Sequence, residues 1–200
     1  MISPCLLNVA LHGLEEAAGV LYKTSGTRAG EIMPGSPIAI RYADDMVVLC
    51  HSQEQAARVK AQLAGWLAPR GLAFNEDKTK IVRLSEGFDF LGFNVRRYHA
   101  KLLIKPSKAA IRRLRERLAS EMRTLRGGNA TAVIAALNPV IRGWAACYRG
   151  VVSSRVFGSL DDYLWKLTYK WATWHHHSNK PKRWIVGRYF GKFNKFRNDH

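Results

Sequence analysis

The sequence predicts an α+β fold, in which an antiparallel sheet with packing helices is followed by an all-helical bundle. Up to about residue 106, short β-rich runs alternate with helical stretches and turn residues, whereas from Ser107 onward the apolar spacing is helical. The charge divides similarly: residues 1–100 hold 11 Lys and Arg against 10 Asp and Glu, whereas residues 101–200 hold 21 against 5. Two hundred residues suffice for one or two domains.

The first part begins with a predicted helix over residues 3–18, with Ser3 as a cap, Pro4 in the first turn and leucines at near-helical spacing. A Gly-, Ser- and Pro-rich loop follows. The runs "PIAIRY" (37–42) and "MVVLCH" (46–51) then predict two strands of a hairpin. Ala43, Asp44 and Asp45 connect the two strands, so the acidic pair is expected at or near the hairpin tip.

A capping box of Ser52 and Gln55 predicts the start of the next helix, and Pro69 with Gly71 predicts its end. Three further runs have strand composition: "KIVRL" (80–84), "FDFLGFNVRRY" (88–98) and "KLLIKP" (101–106). His99-Ala100 is expected to form a tight connection between the last two.

Three helices are predicted after residue 106. The first has an apolar stripe that includes Leu114, Leu118 and Met122, and it stops at Gly127-Gly128. The second covers residues 130–149, and Asn138-Pro139 is expected to restart or kink it. The third runs from about Ser154 to His176, and we expect its Trp171 and Trp174 to be buried.

Several classes of protein are disfavoured. No apolar run approaches the ~20 residues of a membrane span, and the N-terminus lacks the basic start of a signal peptide. The three cysteines, Cys5, Cys50 and Cys147, lie far apart and are expected to be reduced, which favours a cytoplasmic location.

The basic half is typical of polyanion binding, because its cations are interleaved with aromatic residues. The alternatives are a merely soluble basic surface and an anionic membrane, but the helices lack a one-sided lipid face. The tail "NKPKRWIVGRYFGKFNKFRNDH" combines Lys and Arg with Trp184, Tyr189, Phe190, Phe193 and Phe196, as in binders of single-stranded or structured RNA.

The adjacent carboxylates of Asp44 and Asp45 repel each other, and a divalent cation would relieve that repulsion. Because successive strand residues point to opposite faces, we expect one to bind metal directly and the other to support it or to reach a second ion. The alternative is an ordinary solvated turn, where Asp is common.

"YADD" (42–45), followed by "NEDKTKI" (75–81), "FDFLGFNV" (88–95) and "LNPVIRGWAACYR" (137–149), resembles the reverse transcriptases encoded by group II introns. "SPCLLNVALHGLEE" (3–16) resembles the helix that this family places before its catalytic hairpin. The resemblance covers about residues 3–190. It implies a partial polymerase palm over residues 1–106, a helical thumb or maturase-specific domain (domain X) over 107–178, and a basic aromatic tail over 179–200.

The resemblance also implies site residues. Asp44 and Asp45 would bind Mg²⁺, Tyr42 would pack near the primer terminus, and Lys78 would lie beneath the site. The implied partners are the group II intron RNA and the template–primer duplex. The implied RNA-binding residues are Arg112, Arg113, Arg115, Arg117, Arg142, Arg149, Lys182 and Arg183.

The family's fingers and an earlier palm aspartate would precede Met1, so the chain resembles an N-terminally truncated reverse transcriptase. We therefore expect weak Mg²⁺ binding and no polymerase activity from this chain alone. An open sheet edge and an exposed apolar face are expected to favour association with the missing N-terminal half or a second copy. The alternative function is a non-catalytic RNA-binding splicing helper or remnant.

Two motifs in the helical half allow two interpretations. "RGWAACYR" (142–149) is favoured as a packing motif, in which Gly143 lets helices approach closely, over a direct RNA contact. His175-His176-His177 is favoured as a polar helix end over a metal site, because three consecutive helical residues point in three directions.

Overall fold

A computed structural model describes residues 3–176 and 179–190 and has mixed helices and antiparallel strands, consistent with the α+β class. The chain divides into two compact units, Met1–Glu86 and Gly87–His200. The strands β3–β5 defined below therefore belong to the same compact unit as the later helices. The domain boundary predicted near residue 106 stays a prediction. It marks a change in sequence composition, whereas the division at residues 86 and 87 marks where the folded chain separates into two compact units.

The first unit opens with helices α1 (Ser3–Ala10) and α2 (Leu14–Ala17). The prediction of one continuous helix over 3–18 is wrong because Gly13, at φ 83°, adopts a left-handed conformation that interrupts it. Strands β1 (Ile38–Tyr42) and β2 (Asp45–Leu49) form the expected antiparallel hairpin.

Helix α3 (Gln53–Leu67) confirms the predicted capping, because the Ser52 hydroxyl accepts a hydrogen bond from the Gln55 N–H at 3.2 Å. A 3₁₀ turn, Ala68–Arg70, and Gly71 at φ 68° end it as predicted. The core of this unit contains Leu14, Ala18, Val20, Val59 and Leu63. The hairpin covers that core with the face that carries Ala39, Met46 and Val48.

The prediction of a strand over residues 80–84 is wrong. The segment has no regular secondary structure, and Ile81 and Val82 are exposed. Its apolar composition suits a strand, but a strand forms only where a neighbouring strand pairs with its backbone. The described part of the chain provides no strand that pairs with it.

The second unit opens with a three-stranded antiparallel sheet in the order β3 (Phe88–Phe90), β4 (Phe93–Tyr98), β5 (Lys101–Pro106). The run 88–98, predicted as one strand, is instead a hairpin. Leu91 and Gly92 both have positive φ, 48° and 84°, and turn the chain within two residues. The predicted turn at His99-Ala100 is confirmed.

Helices α4 (Lys108–Thr124), α5 (Ala130–Tyr148), α6 (Ser154–His175) and α7 (Lys182–Tyr189) complete the unit. Their core confirms the predicted stripe of α4. It contains Leu114, Leu118, Met122, Val133, Leu137, Leu160, Trp171, Ala172 and Ile185.

Three expectations about these helices change. Helix α5 is one helix through Pro139 and does not restart there, since Asn129 caps its N-terminus and Val133 and Leu137 anchor it in the core; a kink at Pro139 stays a prediction. Trp174 is 50% exposed, so its predicted burial is wrong, whereas Trp171 is buried. Part of the predicted tail forms α7, which packs through Ile185.

Among the described helices, α5 alone has the length and apolar composition to cross a membrane. Two of its buried residues, Val133 and Leu137, belong to the core that it shares with α4 and α6.

Candidate metal-binding hairpin and nucleic-acid interface

The acidic pair lies in a tight bend, as expected. Ala43 and Asp44 form the two-residue connection, and Ala43 adopts a left-handed φ of 55°. Asp45 is the first residue of β2 and lies directly opposite Tyr42. Tyr42 and Asp45 therefore share one face of the hairpin, opposite to the face that packs on the core.

Arg41 supports the tip, a role that the sequence analysis missed. Its Nη1 donates to the carbonyl oxygen of Ala43 at 3.0 Å and to Oδ1 of Asn8, in α1, at 3.2 Å. The guanidinium thus joins the turn backbone to a helix. The sequence signal that could have predicted this role is a basic residue two positions before a tight turn.

Both carboxylates are exposed, and within the described residues neither makes a hydrogen bond or ion pair. Their oxygens are hard ligands of the kind that Mg²⁺ takes, and proteins commonly hold Mg²⁺ through one or two carboxylates with substrate phosphates and water. The residues present therefore fit part of a magnesium site. The described segments contain no group of three or more His, Cys, Asp or Glu side chains that could hold a metal alone.

Lys78 lies in an exposed turn, where its N–H donates to the Oδ1 of Asn75 at 3.2 Å. Among residues 3–176 and 179–190 no hydrogen bond or ion pair joins its ammonium group to the acidic pair. Its role beneath a metal site stays a prediction.

The four predicted arginines of α4 have different surroundings. Arg115 is partly buried, donates from Nη2 to the Ser159 hydroxyl at 2.9 Å and lies 5.2 Å from the centre of the Tyr163 ring. Its guanidinium therefore contributes to the contact between α4 and α6. Arg112 is exposed and has a weak 3.9 Å ion pair with Glu116.

Arg113 and Arg117 are exposed, four residues apart, and share one face of α4. They line a groove of about 420 Å³ between α4 and α5. On the α5 side the groove is lined by Pro139, Val140, Gly143 and Trp144.

The "RGWAACYR" motif is largely a packing motif, as favoured. Trp144 contacts Tyr148 with ring centres 4.4 Å apart and meets Phe157 edge-on, and Tyr148 packs on Phe93 at 4.9 Å. The predicted reason for Gly143 is wrong, however. A Cβ at this position would meet no atom within 4 Å, so no helix approaches closely there.

The Tyr148 hydroxyl donates to the carbonyl oxygen of Gly92 at 3.1 Å, and so ties the end of α5 to the turn between β3 and β4. Burial raises the pKa of the Tyr148 phenol above its ordinary value; Cys147 adds to the rise and Arg113 opposes it.

The remaining predicted cations, Arg142, Arg149, Lys182 and Arg183, are all exposed. Several cations lie over aromatic rings of α6 and α7. These pairs are Arg126 with Trp174, Lys182 with Trp165, and Lys180 and Arg188 with Trp184. Phe193 and Phe196 of the predicted tail lie outside the described residues.

The interpretation of the histidine run as a helix end is confirmed where the structure describes it, because α6 ends at His175. His175 stacks on Trp171, and Nε2 of His176 hydrogen-bonds with the Tyr189 hydroxyl at 2.8 Å. His177 lies outside the described residues.

Comparison with protein families gives two matches. Residues 1–95 match the family described as reverse transcriptase (RNA-dependent DNA polymerase). Residues 111–190 match the family described as group II intron, maturase-specific domain. The search of curated proteins gave no match. The first match covers the hairpin with the acidic pair, and the second covers α5, α6 and α7 and all but the first residues of α4.

Proposed function

Because the chain belongs to the group II intron reverse transcriptases and maturases, we propose that its second compact unit, Gly87–His200 (the helical unit), binds intron RNA and assists splicing. Exposed cations support this proposal: Arg113 and Arg117 lie on α4, Arg142 lies on α5, and Arg149 follows the last residue of α5. Arginine binds phosphate through paired N–H groups and stacks on bases.

The observation that carries the proposal is the maturase-specific match over residues 111–190, in the half of the chain that holds 21 Lys and Arg against 5 Asp and Glu. Neutralising phosphates with these cations releases counterions from the RNA, so affinity should fall steeply with salt.

The test is binding of a labelled group II intron RNA between 50 and 200 mM salt, with Asp44→Ala as the variant that leaves the helical unit unchanged. We expect the logarithm of the binding constant to fall linearly with the logarithm of the salt concentration. The slope should be about −0.7 to −0.9 per contacted phosphate, equally in both proteins. Binding that ignores salt would contradict the proposal.

The hairpin is proposed to be part of a polymerase palm. Asp44 and Asp45 would hold Mg²⁺, which when bound activates a primer hydroxyl and neutralises the triphosphate. The ring of Tyr42, on the same face as Asp45, would pack beside the primer terminus. Lys78 would act from below the site.

We further propose that the 200-residue chain does not polymerise on its own, because two adjacent carboxylates supply few of the ligands that two metal ions need. The measurement is primer extension on an RNA template with Mg²⁺ or Mn²⁺. No product is expected. Extension that Asp44→Ala abolishes would show that the hairpin is a working site.

A non-catalytic splicing helper is the second candidate, and the separation of charge supports it. Residues 101–200 hold 21 of the 32 Lys and Arg, whereas the acidic pair belongs to the other compact unit. Primer extension with an added upstream segment of the family distinguishes the candidates. A palm fragment should then extend a primer in wild type but not in Asp44→Ala, whereas a helper accelerates splicing in both proteins and neither extends a primer.

We also expect association with another polypeptide. The outer face of the hairpin carries Ile38, Ile40 and Tyr42, which are 37%, 46% and 67% exposed. The mass of the protein in solution, measured alone and with an added upstream segment of the family, tests this expectation.

Cys5, Cys50 and Cys147 are free thiols, which supports action in a reducing, cytoplasmic setting.

A further inference from the structure

The groove between α4 and α5 has two walls of different chemistry. The α4 wall presents the guanidinium groups of Arg113 and Arg117, whereas the α5 wall presents Pro139, Val140 and the indole of Trp144. Its volume of about 420 Å³ lies within the roughly 300–1,000 Å³ of sites that take small organic groups.

The cations of this groove are available to bind an anionic ligand. Arg113 and Arg117 are exposed, and within the described residues neither forms an ion pair. Their neighbours on α4 differ, because Arg112 has Glu116 and Arg115 is held by Ser159. The face of α4 toward the groove therefore carries uncompensated positive charge.

The floor of the groove is open because residue 143 is glycine. A Cβ there would meet no atom within 4 Å, although glycine in a helix interior costs about 0.5–1 kcal/mol relative to alanine. Residue 143 lines the groove, so a larger side chain there has room and would take up groove volume.

We propose that this groove binds one unpaired nucleotide of an RNA strand, with its phosphate on Arg113 and Arg117 and its base against Trp144. The proposal rests on the proposed RNA-binding function and adds a preference for unpaired nucleotides. A nucleotide combines an anionic group with a flat apolar ring, and these match the two walls of the groove. Trp144 is only partly buried among Tyr148 and Phe157, so part of its indole remains open to a base.

The test compares an RNA duplex that contains a single-nucleotide bulge with the same duplex fully paired. The bulge carries 2-aminopurine, whose fluorescence is quenched when it stacks. The wild-type chain should bind the bulged RNA about 5-fold to 150-fold more tightly, as expected for one stacked base, and should quench the probe.

Gly143→Leu places a side chain in the groove and is expected to remove the preference and the quenching, while binding of the paired duplex stays unchanged. Gly158→Leu is the matched control. It introduces the same residue at an exposed helical glycine of α6 with open space around it, and it should behave as wild type. Circular dichroism verifies that both variants keep their helices.

A second pair of variants tests the phosphate contact without adding bulk. Arg113→Ala with Arg117→Ala should abolish the preference and reduce the salt slope by about 0.7 to 0.9, the value for the one phosphate that both arginines contact. Lys108→Ala with Arg123→Ala removes the same charge from other exposed positions of α4 and should keep the preference.

The outcomes separate the two proposals. If wild type binds both RNAs equally, or Gly143→Leu keeps the preference, or that variant weakens binding of both RNAs alike, the groove proposal is overturned while RNA binding stands. If wild type binds no RNA, both proposals fail.

Discussion

At the scale of single residues, the contact between Gly92 and Tyr148 shows how two distant motifs depend on each other. The carbonyl oxygen of Gly92 accepts hydrogen bonds from the Ser107 N–H at 2.9 Å and the Tyr148 hydroxyl at 3.1 Å. Gly92 also holds a φ of 84° that residues with a side chain rarely adopt. Two constraints therefore act on a single glycine.

Gly92→Ala is expected to destabilise the second unit by roughly 1–3 kcal/mol. The added Cβ would lie 2.7 Å from the Tyr148 hydroxyl and would strain the turn. Denaturant unfolding monitored by circular dichroism measures the change. Gly127→Ala, where the added carbon meets no atom within 4 Å, is the control, and equal stability of the two variants would contradict the prediction.

Tyr148→Phe is expected to cost about 0.5–1.5 kcal/mol, because the Gly92 carbonyl loses one donor. The substitution should also change how the free energy of unfolding varies with pH at alkaline pH. The pKa of Tyr148 is raised above its ordinary value of 10.0, so the folded state retains the phenol proton longer than the unfolded state. The stabilisation is complete below pH 10.0 and is lost as the pH rises through the folded-state pKa.

The free energy of unfolding, measured from pH 8 to pH 11, checks this sign. Tyr148→Phe should flatten the decline above about pH 10. A decline of equal steepness in wild type and Tyr148→Phe would refute the assignment.

At the scale of elements, helix caps fix where the basic bundle begins. The Ser107 hydroxyl accepts from the Ala110 N–H at 3.1 Å, and Ser107 is only 2% exposed. The Asn129 side chain caps α5 in the same way at 2.9 Å, but it is exposed. Burial makes the first cap harder to replace, because water cannot satisfy the freed N–H group.

Ser107→Ala is therefore expected to cost more than Asn129→Ala, with both near the range of about 0.5–2 kcal/mol for lost caps. Both caps belong to the second unit, so one denaturant titration of each variant compares them directly. Ser107→Asp and Asn129→Asp keep an acceptor and test whether the acceptor or the side-chain volume matters. A larger loss in Asn129→Ala than in Ser107→Ala would contradict the argument from burial.

At the scale of the whole molecule, the boundary between the two compact units lies at residues 86 and 87, whereas the sequence composition changes near residue 106. The sheet β3–β5 belongs to the compact unit Gly87–His200, although its strands have the composition of the first half. The helical core and the Gly92–Tyr148 contact both lie within this unit.

A chain of residues 87–200 is consequently expected to fold by itself and to keep the salt-dependent RNA binding of the full chain. A chain of residues 107–200, cut at the predicted boundary, loses the carbonyl partner of Tyr148 and should be less stable by about 1 kcal/mol or more. Thermal unfolding and the salt slope of both fragments provide the measurement. Equal stability of the two fragments would contradict the prediction.

The sequence by itself determined the elements whose signals are local. The hairpin with Asp44 and Asp45, the cap Ser52 and the apolar stripe of α4 follow from alternation, helical spacing and side-chain acceptors. The concentration of positive charge after residue 100 is also a property of sequence alone. These features involve residues within a few positions of each other, so no distant partner is needed to form them.

Only the tertiary structure decided which neighbours each face meets. Helical spacing gives the angular position of Arg113, Arg115 and Arg117, but the approach of α6 engages Arg115 while the groove beside α5 leaves the other two exposed. Residues 80–84 have strand composition without a pairing strand among the described residues, and Gly92 meets Tyr148 across 56 positions. Contacts of this kind depend on the free energy of packing distant segments together, which local composition does not encode.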